Sequence, residues 1–204
     1  MKLFTFDGAP HPRRVDIFLK EKNIQIEKVQ VNLLARENRS PEFIAGKNIM
    51  GGLPVLELDN GTHIAESVAI CRYLDALNPS NSLFGATPAE LGVIEMWIRR
   101  MELYFMMPVG MIWIHGSPMT AAVIKNQIPE VAKQNKYLVK NIFETLNSEL
   151  SKRKFIAGEN YTMADIVALT TYDFGVQMQL IKPADDFEHV VRWHEEVSAR
   201  DSAS

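Results

Sequence analysis

Three short stretches of the 204-residue chain mark positions where one element passes into another, and two of them set residues there that can do chemistry. The first is Ile64-Ala65-Glu66-Ser67-Val68-Ala69-Ile70, in which an acid and a hydroxyl stand where an extended segment turns helical. A helix N-terminus offers unpaired N–H groups and the positive end of the dipole. A ligand carboxylate can dock there, with the Ser67 hydroxyl as an added donor and Glu66 answering an adjacent ammonium. The pair therefore suits an α-amino-acid head group, and plain helix capping is the competing reading. The second stretch, Gly51-Gly52-Leu53-Pro54-Val55-Leu56, puts a proline at the first position of a strand, where no ladder hydrogen bond is lost. The third, Phe155 to Ile166, spaces Thr162 and Asp165 as a capping box behind Tyr161. That is a device for starting a buried helix and carries no chemistry.

Composition removes several classes of function. Lys and Arg number 22 against 25 Asp and Glu, for a net charge of -3, and the pairs Arg13-Arg14 and Arg99-Arg100 are too short to make a basic stripe. A nucleic-acid partner is not expected. The single cysteine, Cys71, forms no internal disulfide, CxxC pair or zinc cage. It sits beside Ile70 inside a helical pattern and reads as a buried, inert thiol. Met1 to Gly8 lacks the apolar run of a signal peptide. The greasy stretch Tyr104 to Ile114 is too short to span a membrane and is broken by Pro108 and Gly110. The expectation is a cytoplasmic protein with no metal and no membrane partner.

The elements that must hold these residues follow from periodicity. Residues 2–6 read as a strand, Arg13 to Lys22 as a helix entered through Pro12 and stopped at Asn23, and Ile26 to Val31 as a second strand. A short helix is possible from Pro41 to Ala45. Pro54 to Leu58 and Thr62 to Ile64 form a hairpin around Asp59-Asn60-Gly61, and Glu66 to Leu77 is a helix. The order β-α-β, loop, β-β-α describes a thioredoxin-like domain with a mixed four-stranded sheet over residues 1–78. Residues 79–87, rich in Pro, Ser and Asn, read as a linker. Residues 88–204 are expected to be all helical: Glu90 to about Ile114, Met119 to Leu150 with Pro129 inside, Thr162 to about Leu180, and Pro183 to Ala199. The Met- and aromatic-rich run Met101 to Trp113 fits either a core or the wall of an apolar pocket.

Leu-Pro-Val-Leu at 53–56, Glu-Ser at 66–67 and Gly-x-x-Tyr-Thr-x-Ala-Asp-Ile at 158–166, in this order and spacing, resemble the cytosolic glutathione transferase family over roughly residues 2–198. Pro10-His11-Pro12-Arg13-Arg14-Val15 is similar to bacterial members and to a yeast-type branch. The resemblance implies a homodimer binding one glutathione per subunit as co-substrate, and a hydrophobic co-substrate pocket between the domains. Pro54 would be cis, and Leu53 would pair through its backbone with the cysteinyl part as a short added strand. Glu66 and Ser67 would hold the γ-glutamyl head. Arg39, Lys47 and Asn48, in no fixed order, would meet the glycine carboxylate.

One departure bears on catalysis. Many members carry Tyr, Ser or Cys after the first strand, whereas residues 4–13 here contain none, and Ala9 stands at the position of the serine in Ser-type members. A thiol near its free pKa of about 8.5 is mostly protonated at neutral pH, so a donor or positive charge must favour the thiolate. The start of the first helix, with its backbone N–H groups and His11, is one source. His115 and Ser117, at the end of the first long helix of the second half, are another, because such residues are thought to hold a water near the sulfur in the yeast-type branch. The expected activity is attack of glutathione thiolate on small hydrophobic electrophiles. The alternatives are a glutathione-dependent peroxidase and a non-catalytic binder of glutathione or apolar ligands.

Overall fold

The computed structural model describes residues 1–204, and the chain divides into two compact units, Met1–Ser82 and Leu83–Ser204.

The first unit is thioredoxin-like. Its elements are β1 (Lys2–Thr5), α1 (Pro10–Glu21), β2 (Glu27–Gln30), a 3-10 turn Glu37–Arg39, α2 (Pro41–Gly46), β3 (Val55–Glu57), β4 (His63–Ala65) and α3 (Ser67–Leu77). The strands lie in the order β2-β1-β3-β4. β1 runs parallel to β2 and antiparallel to β3, and β3 is antiparallel to β4. Leu3, Val15, Phe18, Ile70 and Leu74 build the core against one face of the sheet, and Val31, Phe43 and Val55 cluster on the other. α1 ends where Asn23 takes a left-handed φ of 51°, a conformation that Asn tolerates better than most residues. Lys22, buried at that end, pairs with Asp75 at 3.0 Å and donates to the Ser80 carbonyl. α3 begins one residue later than the pattern predicts, because Glu66 leaves the helical region and becomes the N-cap.

The second unit is all helical. α4 (Pro88–Met101) is followed without a break by a π-helical turn, Glu102–Met106, and by α5 (Met107–Gly116). This is the single long stretch read from the sequence, with a widened turn in it. Pro108 has no N–H for the carbonyl of Tyr104, and the wider turn just before it absorbs that loss. α6 spans Pro129–Leu150, α7 Met163–Gln177 and α8 Glu188–Ser198. The expectation of one helix from Met119 to Leu150 is corrected: only a 3-10 turn, Pro118–Thr120, precedes α6. Pro129 starts the helix rather than lying within it. A proline drives the residue before it out of the helical region, and Ile128 is extended at φ -117° and ψ 94°. α7 is the central helix, buried from Met163 through Tyr172. It is opened by the Thr162–Asp165 capping box, and Trp97, Phe105, Phe143 and Trp193 complete this core. No helix is long and apolar enough to cross a membrane.

Candidate functional site

Strand register alone gathers three separate segments at one end of the sheet. Phe4 pairs with Val55, and Val55 pairs with Ala65. Continued by two residues, that register sets Leu53 and Pro54 opposite Phe6 and Thr5 on one side, and opposite Ser67 and Glu66 on the other. The loop from β1 into α1, the approach to β3 and the start of α3 therefore share one edge of the first unit.

Leu53 precedes a cis peptide to Pro54. Its N–H and C=O lie outside the strand pairing and take part in no backbone hydrogen bond, so both remain available to an added extended peptide. Glu66 adopts φ 68° and ψ 117°, a left-handed conformation for a residue with a side chain. Such conformations cost about 1–3 kcal/mol and collect at functional sites. Its side chain is exposed and makes no cap hydrogen bond, so the plain capping reading fails for Glu66. The α-helical ladder opens with Ile70 N–H on the Glu66 carbonyl, which leaves the amides of Ser67, Val68 and Ala69 ahead of it. Ser67 is buried, and its Oγ accepts from Arg14 Nη1 at 3.4 Å.

The three loop residues expected at a ligand carboxylate are all engaged in the protein. Lys47 forms a very short ion pair with Glu57 and lies 4.4 Å over the ring of Phe4. Asn48, buried, donates to the Gly52 carbonyl and accepts from the Met50 amide, both at 3.0 Å. Arg39 donates to the Met50 carbonyl at 2.9 Å and is otherwise exposed. Asn38, which sequence reasoning passed over, donates to the Gly51 carbonyl at 2.6 Å. Gly51 sits at φ 61°, where a Cβ would lie 2.8 Å from the Asn38 carbonyl oxygen. These contacts fix the loop that delivers Leu53.

At the third segment, α1 starts with Ala9 as an N-cap that has no side-chain hydrogen bond. Pro10 and Pro12 carry no N–H, so of the first three helical residues only His11 offers an amide donor. His11 is partly buried within α1. Burial, and next the positive charge of Arg14, lower its pKa from 6.5 to about 4, so the ring is neutral at pH 7 and can donate only through its single N–H.

His115 and Ser117 belong to the second unit, at the end of α5. Ile128 N–H donates to His115 Nδ1 at 3.3 Å, which places the proton of the neutral ring on Nε2. Ser117, buried, accepts from the Met119 amide at 3.3 Å as the cap of the 3-10 turn. Gln127 and Thr120 donate to the carbonyls of Ile114, Ser117 and Trp113, closing the helix end. Cys71 is fully buried, and burial raises its thiol pKa well above the ordinary value.

Residues 1–76 match the family model for the N-terminal domain of glutathione S-transferase, and residues 106–201 match that for the C-terminal domain. Glutathione S-transferase 2 of Saccharomyces cerevisiae is 36% identical over 99% of this chain and 87% of its own. A glutathione S-transferase domain-containing protein of Marinobacter aquaeolei VT8 superposes with a TM-score of 0.93 at 34% identity, covering all of both chains. The Gtt2 structure from Saccharomyces cerevisiae gives 0.92 at 34%, covering 100% of this chain and 98% of that one. The chain belongs to the glutathione S-transferase family.

Proposed function

We propose that the protein binds glutathione at the sheet edge of its first unit and transfers its thiolate to small hydrophobic electrophiles. The observation that carries this reading is the placement of the unpaired Leu53 backbone opposite the start of α3, where the ladder leaves three amides uncovered. An extended tripeptide with an α-amino-acid head has both its recognition needs met there. Leu53 and Pro54 pair with its cysteinyl part. Ser67 and the α3 amides take its α-carboxylate, and the exposed Glu66 takes its ammonium. Of the cations before β3, Arg39 suits the glycine carboxylate, because Lys47 is held by Glu57 and Asn48 is spent within its loop. The sulfur then lies by the start of α1, where His11 can donate to the thiolate. His115 and Ser117 are the other residues proposed to act in thiol activation. The same thiolate would serve a glutathione-dependent peroxidase.

The protein works in the cytoplasm as a homodimer in this reading. The exposed apolar side chains Leu103, Tyr104 and Met107 of the second unit are the surface that dimerisation would cover. One observation favours a non-catalytic binder instead: Ala9 and two prolines leave the start of α1 poor in donors. Calorimetric titration with glutathione separates these readings from an unrelated use of the fold. Wild type should bind one glutathione per chain, Ser67→Ala should weaken binding at least about tenfold, and light scattering on the same sample should give twice the 23.1 kDa chain mass. Absence of binding would sink both glutathione readings.

A further inference from the structure

Arg14 is the one arginine with no exposed surface, and it is among the largest fully buried side chains of the chain. Burying a guanidinium is expensive, and an apolar side chain of similar volume usually does as well or better. Its surroundings suggest another use. On α1, Arg14 is three residues from His11 and so shares its face of the helix. Across to α3, its Nη1 donates to Ser67 Oγ at 3.4 Å, and its charge also acts on the buried Cys71 thiol, alongside those of Asp75 and Asp16. One buried cation thus stands behind the starts of both helices that border the candidate site.

We infer that Arg14 is a positioning residue for this site, acting on the ligand through the Ser67 hydroxyl and on His11 through its charge. The inference rests on the glutathione reading above and adds a residue to it. A hydroxyl has one proton and two lone pairs. With one lone pair of Ser67 Oγ occupied by Arg14 from inside, the O–H is left to be donated outward, beside the uncovered amides of α3. At the other end, the charge of Arg14 opposes protonation of His11, leaving it a neutral ring with one N–H to give. Arg14 touches neither ligand nor reacting atoms, so its effect must vanish when Ser67 or His11 is removed.

The test uses the full-length protein with Arg14→Met, Arg14→Lys, Ser67→Ala and the double variant Arg14→Met/Ser67→Ala. Glutathione Kd is read by calorimetry, and His11 is titrated by NMR without ligand. Arg14→Met should weaken glutathione binding about tenfold in the wild-type background and less than about twofold when Ser67 is already alanine. The His11 pKa should move up from about 4 in Arg14→Met and stay close to it in Arg14→Lys, which keeps the charge. Equal losses of affinity in both backgrounds, or a His11 titration that ignores Arg14→Met, would overturn the inference. If Arg14→Met does not fold, Arg14→Lys decides: it should lose part of the affinity only when Ser67 is present. If wild type binds no glutathione, the glutathione reading falls and the His11 titration alone judges Arg14, an unmoved pKa overturning it.

Discussion

His11 shows how a single residue's surroundings decide what chemistry it can offer. Burial and the nearby Arg14 hold its pKa at about 4 against the ordinary 6.5. The folded protein therefore refuses a proton that the unfolded chain accepts. Stability from this group is complete above about pH 6.5 and is lost as pH falls from there towards 4. His11→Gln should remove that component: the urea midpoint of wild type should fall relative to that of the variant between pH 7 and pH 5, shrinking or reversing any lead it holds at pH 7 and widening any deficit. A constant offset at both values would contradict the assignment. Glu57 acts in the same pH sense, since hydrogen bonds from Lys47 and His63 lower its pKa and its contribution is likewise lost as pH falls. The legible residues at this scale were those whose role is local in sequence. Glu66-Ser67 and Leu53-Pro54 sit at element junctions, and a junction is visible as a change of periodicity. Arg14 was not legible, because Arg13-Arg14 reads as a surface charge pair until α3 arrives to bury its second member. The engagement of Lys47 by Glu57 is likewise a tertiary event, settled ten residues away across the β3 approach.

Among the elements, α7 depends most on one side chain. Asp165 is fully buried and accepts four hydrogen bonds: from the amides of Ile156 and Thr162, the Thr162 hydroxyl and Trp193 Nε1, all at 2.9–3.0 Å. Burial pushes its pKa up, and these four donors pull it back. The capping box was readable from Thr162 and Asp165, but the third and fourth partners were not, since Ile156 and Trp193 reach it only through the fold. Asp165→Asn keeps the shape and sets an amide N–H2 against donors. It should destabilise the protein by about 3 kcal/mol in urea unfolding, whereas a loss under about 0.5 kcal/mol would show that the network is not holding α7. The helices of the second half were visible as apolar periodicity, and their interruptions were harder to place. Pro129 looked interior because the apolar pattern continues upstream through Ile124 and Ile128. The rule that a proline expels its predecessor from the helix decides the point. Pro108 gave the reverse case, a proline that the helix accommodates through a π turn.

For the whole molecule, the match of both halves to glutathione S-transferase domain models and the 36% identity to a yeast transferase show the family, and the proposed ligand site is the sheet edge of the first unit. The architecture was legible because the two halves differ so plainly in period, strands and a hairpin before residue 78 and helices after it. The residues proposed to activate the thiol were not, because no single residue type marks them. A Tyr, Ser or Cys would have been recognised by position, while a neutral histidine and a nearly proline-blocked helix start are defined only by their environment. The most direct test of the account is the ultraviolet thiolate absorbance of glutathione bound to the protein, followed against pH. A bound-thiol pKa at least about one unit below the free value of ~8.5 is the predicted result, with the shift reduced in His11→Ala or His115→Ala according to which residue supplies the donor. Saturated binding with an unshifted thiol would contradict the transferase account and leave a binder of glutathione.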